Sequence, residues 1–447
     1  ISRNTNYYMT QEQANELKKD SRVIDVERID DLFVKEDAIY NNTPYTKNGN
    51  FYKTGSFPPA TDFQWGHIHA GSASQIGKGS FGYGGSTGTK TTSVDVFNNG
   101  KHVDVIIIDR PMAYDSGEWK SPSSGNSRFV QYQWFNELNS FVSSIDDDGV
   151  TPPTGNVTYH QNSALDQSHG QHVGGTVAGQ HYGWANEANI YSIAYLGTGF
   201  HSGQSISGWL IYDYLRAFHL HKAVNPVTGR RNPTITQHSY GGIFILNPEE
   251  EALSFSKLNS VSYRGTTYNS GNPGPSGWTQ AGVITDFGLR FDITSYPSYH
   301  AGLVADIQDA IDDGVTFIAS AGNDNLLIAE PSDADWNNTI TWEYDTGDIR
   351  TRYYNRGHWP ATPDTDAIIV GALGNESDFR RASFSMYGPS VDVYAPGVRI
   401  ISAYSNEGTN DTKYSSGNYY GLGTGTSMAG PQVAGVAATL ATAKPRF

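Results

Sequence analysis

The stretch SYHAGLVADIQDAIDDGVTFIASAGN (298–323) contains a helix pattern that leads, through a single turn, into the pattern of a buried strand. Over residues 298–314 apolar residues recur at helical spacing with acidic residues between them, which predicts an amphipathic helix. Residues 315–323 form a short apolar run, which is typical of a strand buried on both faces. A helix that runs directly into such a strand indicates a parallel sheet covered by helices.

The same alternation extends through most of the chain. Buried strands are predicted at 103–109, 188–197, 233–242, 366–373 and 391–397, and helices at 205–224 and 426–443. The sequence therefore predicts an α/β fold of three layers, in which a central, mostly parallel sheet is flanked by helices. Catalytic groups in such a fold lie beyond the carboxyl ends of the strands.

The residues before 101 have a different character. Thr10 is expected to cap a helix that runs to about Lys19, and a short strand should follow at 23–26. Residues 35–100 are rich in Tyr, Gly, Ser, Thr and Asn and show little periodicity. The predicted organisation is a small N-terminal element (1–34), a loop-rich extension (35–100) and an α/β domain (101–447) that carries an insert (243–297).

Composition excludes several classes of protein. The chain has 447 residues, of which 37% are apolar and 17% charged, so it is not a disordered sequence. Its net charge of −15 argues against nucleic-acid and anionic-membrane partners, and no apolar run has transmembrane length. The absence of cysteine excludes disulfides and thiolate metal sites.

Ser427 lies in GTGTSMAGPQVAG (423–435), where small residues surround it and a helix is predicted to begin. The N-terminus of a helix offers free backbone N–H groups and a partial positive charge, which suit a developing oxyanion. A serine hydroxyl is a poor nucleophile near neutral pH, so it needs a base whose tautomer is fixed by a partner. An ordinary helix cap is the alternative role for this serine.

Candidates for the base, its partner and an oxyanion donor lie in three other segments. His169 opens the glycine-rich segment HGQHVGGTVAG (169–179), and with His172 it could instead bind a metal, although no third ligand follows at suitable spacing. Asp109 ends the strand VDVIIID, and Asn323 closes the stretch quoted above. Both Asp and Asn are also common turn formers, which is the alternative role for each of them.

Together the four segments resemble the signature of the subtilisin-like serine proteases, the subtilases, in that family's order of Asp, His, Asn and Ser. GTSMAGPQVAG (425–435) is similar to the family's Ser motif at nearly every position, HGQHVGGTVAG to its His motif and ASAGN (319–323) to its oxyanion motif. HSYGG (238–242) resembles the strand that pairs with the substrate backbone. The similarity covers roughly residues 65–443, and the short segment after the His motif is closer to the proteinase K branch.

The resemblance implies a serine endopeptidase that cleaves polypeptides through an acyl-enzyme. The implied roles are Ser427 as nucleophile, His169 as general base, Asp109 as the carboxylate that orients the base, and Asn323 as oxyanion donor. One departure affects the carboxylate, because Arg110-Pro111 stand where the family usually has Thr or Ser followed by Gly. Asp115, six residues after Asp109, is therefore kept as the alternative partner.

The resemblance also implies how a substrate binds. The peptide would lie as an added strand beside residues 239–241, with a second strand at 199–204 on its other side. The insert at 243–297 is expected to form a surface loop near this cleft. The pocket for P1, the residue on the acyl side of the scissile bond, would accept a medium or large apolar side chain. Its predicted lining consists of Ser239, Tyr240, Gly241, Ala319, Ser320 and Gly322.

Three further expectations follow from the resemblance. The N-terminal element resembles the second half of an inhibitory pro-domain, so the chain's own N-terminal segment is an expected partner, with a surface-docked helix as the alternative. Both ends of the sequence are expected to be cut, and the protein is expected to be extracellular or secreted. Structural calcium is implied without a mapped site, and residues 323–338 and 364–378 contain candidate ligands.

Two functions from other classes remain as alternatives. The first is a catalytically silent subtilase fold that serves as a structural or binding component of a larger assembly, such as a particle or a surface structure. The Arg110-Pro111 departure and the retained N-terminal segment favour it. The second is a carbohydrate-binding or adhesion protein, which the Tyr-, Trp- and Gly-rich loops suggest.

Overall fold

The computed structural model describes part of the chain, in two compact units that comprise residues 1–43 and 44–447. The described residues are 9–17, 19, 45–47, 94–96, 98–145, 151–161, 169–195, 206, 208–249, 251–374, 380–404, 412–415 and 418–443.

In the first unit, helix α1 (Gln11–Leu17) begins after Thr10. Thr10 Oγ1 accepts a hydrogen bond from Gln13 N (3.2 Å), and Gln13 Oε1 accepts one from Thr10 N (2.8 Å). This reciprocal pair is the predicted cap. The predicted strand at 23–26 lies outside the described residues.

The strands of the second unit are short. In chain order they are β1 (Tyr45–Lys47), β2 (Val94–Val96), β3 (Asp104–Asp109), β4 (Asn189–Ala194), β5 (Thr234–His238), β6 (Ile243–Ile245), β7 (Leu258–Tyr263), β8 (Thr266–Tyr268), β9 (Ser295–Pro297), β10 (Thr316–Ser320), β11 (Thr339–Asp345), β12 (Asp348–Tyr353), β13 (Ile368–Leu373), β14 (Val393–Pro396), β15 (Ile400–Tyr404), β16 (Thr412–Ser415) and β17 (Asn418–Gly423).

A central sheet of six strands has the order β14-β13-β10-β5-β3-β4, and every neighbouring pair in it is parallel. Strand β3 lies inside this sheet, and all six of its residues are buried. Its branched Val and Ile side chains suit a pleated surface that is covered on both faces. The predicted α/β architecture with a central parallel sheet is confirmed.

Five of the six α-helices that the structure describes in the second unit form two groups, and the remaining one lies in the insert. In chain order the six helices are α2 (Trp134–Ile145), α3 (His169–Ala178), α4 (Gly208–His221), α5 (Gln280–Phe287), α6 (Ala301–Asp312) and α7 (Thr426–Ala443). Helix α3 packs against α7, and both contact the central sheet, whereas α4 packs against α2 and α6. These groups make the outer layers of a three-layer fold.

The insert at 243–297 is an ordered substructure, and the expectation of a surface loop is wrong for most of it. Its strands β7 and β8 join β11 and β12 in an antiparallel sheet of order β12-β11-β7-β8, and β6 pairs with β9. A second hydrophobic core lies beneath it, with Val261, Phe287 and Trp342 among its buried members. The insert becomes ordered because strands from a later segment complete its sheet and cover its apolar face.

Two smaller antiparallel groups complete the described strands. Strand β1 pairs with β2, and β15, β17 and β16 form a three-stranded sheet. Strand β17 ends at Gly423, and helix α7 begins at Thr426, so the small sheet leads directly into the helix that carries Ser427.

Candidate active site

Four predicted residues lie at the ends of elements that belong to the central layers. Asp109 is the last residue of β3, and Asn323 follows β10 by three residues. His169 is the first residue of α3, and Ser427 is the second of α7. The carboxyl ends of parallel strands share one edge of a sheet, which is where sites form in this class of fold.

His169 and Asp109 form a hydrogen-bonded pair. His169 Nδ1 lies 2.7 Å from Asp109 Oδ1, and the carboxylate is fully buried. The same oxygen accepts a second hydrogen bond from Arg110 N at 2.6 Å. A methyl group at Gly170 would lie 2.2 Å from the Arg110 carbonyl oxygen, so glycine is required for α3 to begin this close to β3.

The pair controls the protonation of the imidazole. Burial opposes the charged form of His169, but the charge and hydrogen bond of Asp109 outweigh it and raise the pKa of His169 above its ordinary value. A hydrogen bond at Nδ1 also leaves Nε2 as the nitrogen that can take a proton from another group. The arrangement can therefore act as an oriented base.

Asp115, the alternative carboxylate, lies exposed in the loop after β3. The nitrogen of His169 that an orienting carboxylate would contact is already bonded to Asp109. The Arg110-Pro111 departure leaves that contact intact, because Arg110 bonds the carboxylate through its backbone nitrogen, a group that every residue except proline supplies.

Ser427 has a different partner in this structure. Its Oγ donates a hydrogen bond to the Ser239 carbonyl oxygen at 3.2 Å. Among the described residues, no hydrogen bond joins Ser427 to His169. The helices that these residues open, α7 and α3, pack against each other. Rotation about the Cα–Cβ bond of Ser427 would redirect Oγ without a change in the backbone.

Asn323 is oriented by Thr426. Its Oδ1 accepts hydrogen bonds from Thr426 N (2.9 Å) and Thr426 Oγ1 (3.0 Å). A backbone N–H can only donate, so the amide oxygen must face Thr426, and Nδ2 must point away from it. Asn323 is an exposed residue, so this N–H₂ group can meet a ligand.

Two hydrogen-bond donors border a small space beside Gly425. A methyl group at Gly425 would lie 3.5 Å from Asn323 Nδ2, 3.6 Å from the Ser427 backbone nitrogen and 3.6 Å from Asn323 Oδ1, the oxygen that Thr426 already bonds. Both donor nitrogens therefore border one position that the glycine leaves open. An oxygen atom that gains negative charge there would meet an amide donor and a donor at the N-terminus of α7.

The residues predicted to line the P1 pocket divide into two groups. Ser239 and Ser320 are buried, and their hydroxyls donate to the carbonyl oxygens of Ser427 (3.1 Å) and Thr426 (2.9 Å). Their hydroxyls therefore support the first turn of α7. Tyr240 is also buried, with its hydroxyl 3.2 Å from His238 Nδ1, and Ala319 lies in the second core.

Gly241 and Gly322 differ from these, since both have solvent-accessible backbone. The ring of His358, a residue with no role predicted from the sequence, lies against both glycines. Gly425 and Thr426 likewise had no predicted role, although both belong to the motif around Ser427. No local pattern marks His358, because its importance comes from contacts with distant segments.

Structural calcium was predicted without a mapped site. The described residues contain no group of three or more His, Asp or Glu side chains that could hold an ion. In the first candidate calcium stretch Asp335 pairs with Arg264, and in the second Asp364 accepts from Tyr299. Residues 375–378 lie outside the described part of the chain.

His172 does not form a metal pair with His169. Its Nε2 lies 2.8 Å from the Ile400 carbonyl oxygen, and burial lowers the pKa of the imidazole to about 4. His169 is turned to Asp109 instead.

In the described residues no helix is both long and apolar enough to span a membrane. The predicted substrate strand at 199–204 lies outside the described residues.

Comparison with known proteins places these features in a family. A model described as the subtilase family, Peptidase_S8, matches residues 87–447. Subtilisin-like protease 2 of Pseudogymnoascus destructans is 34% identical over 143 residues, which cover 32% of this chain and 26% of that protein. Subtilisin amylosacchariticus of Bacillus subtilis subsp. amylosacchariticus is 29% identical over 214 residues, 47% of this chain and 46% of that one.

A solved structure of a cold adapted subtilisin-like serine proteinase is also similar. It has 21% sequence identity and a TM-score of 0.41, and the match covers 79% of this chain and 80% of the other. The chain spans about a quarter of the length of the first curated relatives it matches.

Proposed function

The chain belongs to the subtilase family, and on that premise we propose that it is a serine endopeptidase with Ser427 as its nucleophile. The observation that carries this proposal is the space beside Gly425, which Asn323 Nδ2 and the Ser427 backbone nitrogen both border. Two donors that converge next to a serine are the requirement for stabilising a tetrahedral oxyanion. A serine that only capped helix α7 would not need the Asn323 amide as a second donor beside it.

The proposed reaction begins with proton transfer. Ser427 Oγ turns from the Ser239 carbonyl toward His169, whose Nε2 takes the hydroxyl proton as Oγ attacks the scissile carbonyl carbon. The carbonyl π electrons move to the oxygen, which becomes the oxyanion. The protonated imidazole then donates its proton to the leaving amine, the C–N bond breaks, and an acyl-enzyme on Ser427 remains.

The second half returns the enzyme to its starting state. A water molecule gives its proton to His169 and attacks the acyl carbon, and collapse of the second tetrahedral intermediate releases the acid while Ser427 regains its proton. Asp109 stabilises the imidazolium formed in both halves, because it carries the opposite charge at 2.7 Å from Nδ1 and is fully buried.

The substrate is proposed to bind in extended form along the backbone of residues 239–241. Several contacts fix this segment in place. Tyr240 anchors it in the core, and Gly242 N donates to the Trp359 carbonyl oxygen at 2.8 Å. A segment fixed in this way can offer its remaining backbone groups to an extended peptide, which gives affinity that depends little on substrate sequence.

A covalent probe tests this function directly. We expect a fluorophosphonate to label Ser427 in the purified protein, and Ser427→Ala to abolish both labelling and cleavage of unfolded protein substrates. Loss of the nucleophile costs on the order of 10⁶ in kcat in subtilisin, a member of this family. Thr439→Ala, a substitution far along the same helix, is the matched control and should label normally.

The result also separates the enzyme from its main alternative. A catalytically silent fold would not label at Ser427, although it would remain folded by circular dichroism. Labelling that persists in Ser427→Ala would place the nucleophile elsewhere and contradict the proposal.

A further inference from the structure

The ring of His358 occupies the space between two of the proposed substrate-binding segments. A methyl group at Gly241 would lie 2.1 Å from His358 Nδ1 and 2.3 Å from its Cε1. A methyl group at Gly322 would lie 3.0 Å from its Nε2. The imidazole therefore fills the direction in which Gly241 opens, and at Gly322 it shares that space with Met386 Sδ, which would lie 2.5 Å from the methyl group.

The ring is held firmly in this position. His358 is 5% exposed, and its Nδ1 lies 3.3 Å from the Trp359 carbonyl oxygen. The Ala321 backbone also hydrogen-bonds the ring, and the fully buried Met386 lies beside Gly322 behind it. Movement of the imidazole into solvent would break these contacts and open a void, so a substrate must supply that free energy.

The adjoining backbone is equally constrained. Gly242 N donates to the Trp359 carbonyl oxygen (2.8 Å), and Trp359 N donates to the Ser298 carbonyl oxygen (3.2 Å). Ser298 N in turn donates to the Gly242 carbonyl oxygen (2.8 Å). These hydrogen bonds join the segment that carries His358 to the segment that carries Gly241. The two segments cannot move apart unless the bonds break.

We propose that His358 closes the P1 pocket and restricts this protein to substrates with Gly, Ala or Ser at P1. This inference rests on the proposed function of the site. It replaces the expectation of a medium or large apolar P1 residue, which considered only the small residues on either side. The small residues leave a space between residues 239–241 and 319–322, and the imidazole of His358 fills that space.

The charge of the ring distinguishes this proposal from selection of acidic residues. Burial lowers the pKa of His358 below its ordinary value, although the backbone contacts at Trp359 and Ala321 oppose the shift. The imidazole is consequently neutral at pH 7 and offers no positive charge to a P1 carboxylate. Size, and not charge, is the property that it selects.

The test is a series of peptides that differ only at P1, with Ala, Leu, Phe or Glu. For the unmodified chain we expect kcat/KM for Ala to exceed that for Phe by at least about 10-fold. In His358→Ala the Phe-to-Ala ratio should rise by at least about 10-fold, because the space of the ring becomes available. His358→Asn, which is smaller but still polar, should give an intermediate ratio.

His221→Ala is the matched control. His221 is an exposed histidine at the end of α4, and the chain returns from there to the amino end of β5, at the opposite edge of the sheet. It should leave every ratio unchanged. Fluorophosphonate titration gives the active fraction of each variant, so partial misfolding does not alter the ratios.

The outcomes separate the two proposals. A labelled, active enzyme that prefers Phe, Leu or Glu at P1, or an unchanged ratio in both His358 variants, would overturn the role of His358 and leave the peptidase function standing. Absence of both labelling and cleavage would overturn the peptidase function, and this inference with it. If His358→Ala does not fold, the profile of the unmodified chain and His358→Asn still decide the question.

Discussion

Thr426 holds the side chain of Asn323 through two hydrogen bonds to the same oxygen, one from its backbone nitrogen (2.9 Å) and one from Oγ1 (3.0 Å). Thr426 Oγ1 also accepts a hydrogen bond from Gly322 N at 3.1 Å. The residue before the proposed nucleophile therefore aims the proposed oxyanion donor. Asn323 and Ser427 lie in distant segments of the sequence. The contacts of Thr426 fix their relative position before a substrate binds.

The first prediction concerns this contact. Thr426→Val keeps the shape and the backbone bond but removes both bonds of the hydroxyl, the one to Asn323 Oδ1 and the one from Gly322 N. The bond to Asn323 contributes about 1 kcal/mol for a neutral pair. We expect kcat to fall roughly fivefold with little change in KM, well below the loss of about 10²–10³ for Asn323→Ala. In the double variant the two effects should not add, because both act through the same amide.

Thr439→Val is the control for that experiment, since Thr439 lies in the same helix and its hydroxyl bonds only the Val436 carbonyl among the described residues. It should leave kcat unchanged. Additive losses in the double variant would show that Thr426 acts independently of Asn323.

The second prediction concerns the space beside Gly425. Gly425→Ala places a methyl group between the two donors, at a backbone φ of 154° that side chains rarely adopt. We expect kcat/KM to fall by at least about 10², because the oxyanion loses its position. Gly347→Ala is a suitable control: its φ is 80°, and a methyl group there would touch nothing within 4 Å. Stopped-flow acylation rates would measure the difference, and equal losses in both variants would assign the effect to backbone strain.

The third prediction concerns the N-terminal segment, whose likeness to part of an inhibitory pro-domain rests on the sequence. We expect the active chain to cut itself within residues 35–100, because the sequence there is polar and glycine-rich, a composition that proteases cut readily. The Ser427→Ala protein should keep its full length. N-terminal sequencing and intact mass measure this directly. Equal processing of both proteins after purification would show that another protease is responsible.

Much of the fold could be predicted because its signals are local. The strand that ends at Asp109 is a continuous run of branched apolar residues, and the helix from Ala301 has a clear helical period. The family resemblance then placed four segments at one sheet edge, and the structure brings His169 to Asp109. Local patterns and a parallel sheet suffice for these features.

The remaining features depend on contacts that sequence patterns do not contain. The insert forms a sheet because Val261 pairs with Ile340, far along the chain. Likewise, His358 lies against Gly241 only because the fold brings a late loop to the end of β5. The hydroxyls of Ser239 and Ser320 could not be assigned to α7 from composition, since small polar residues suit a pocket wall and a buried contact equally.

The last prediction uses pH to test the partner of His169. A general base must be neutral, so activity should fall as pH decreases through the pKa of His169, which Asp109 raises above its ordinary value of 6.5. Asp109→Asn removes that charge. It should reduce kcat by about 10⁴, the loss that the corresponding change causes in a serine protease with an Asp-His-Ser triad, and move the acid limb of the residual activity to lower pH. Asp115→Asn is the matched control and should alter neither the rate nor the pH profile. A pH–rate series from 5 to 9 on all three proteins decides between them, and a large loss confined to Asp115→Asn would assign the orienting role to that exposed carboxylate.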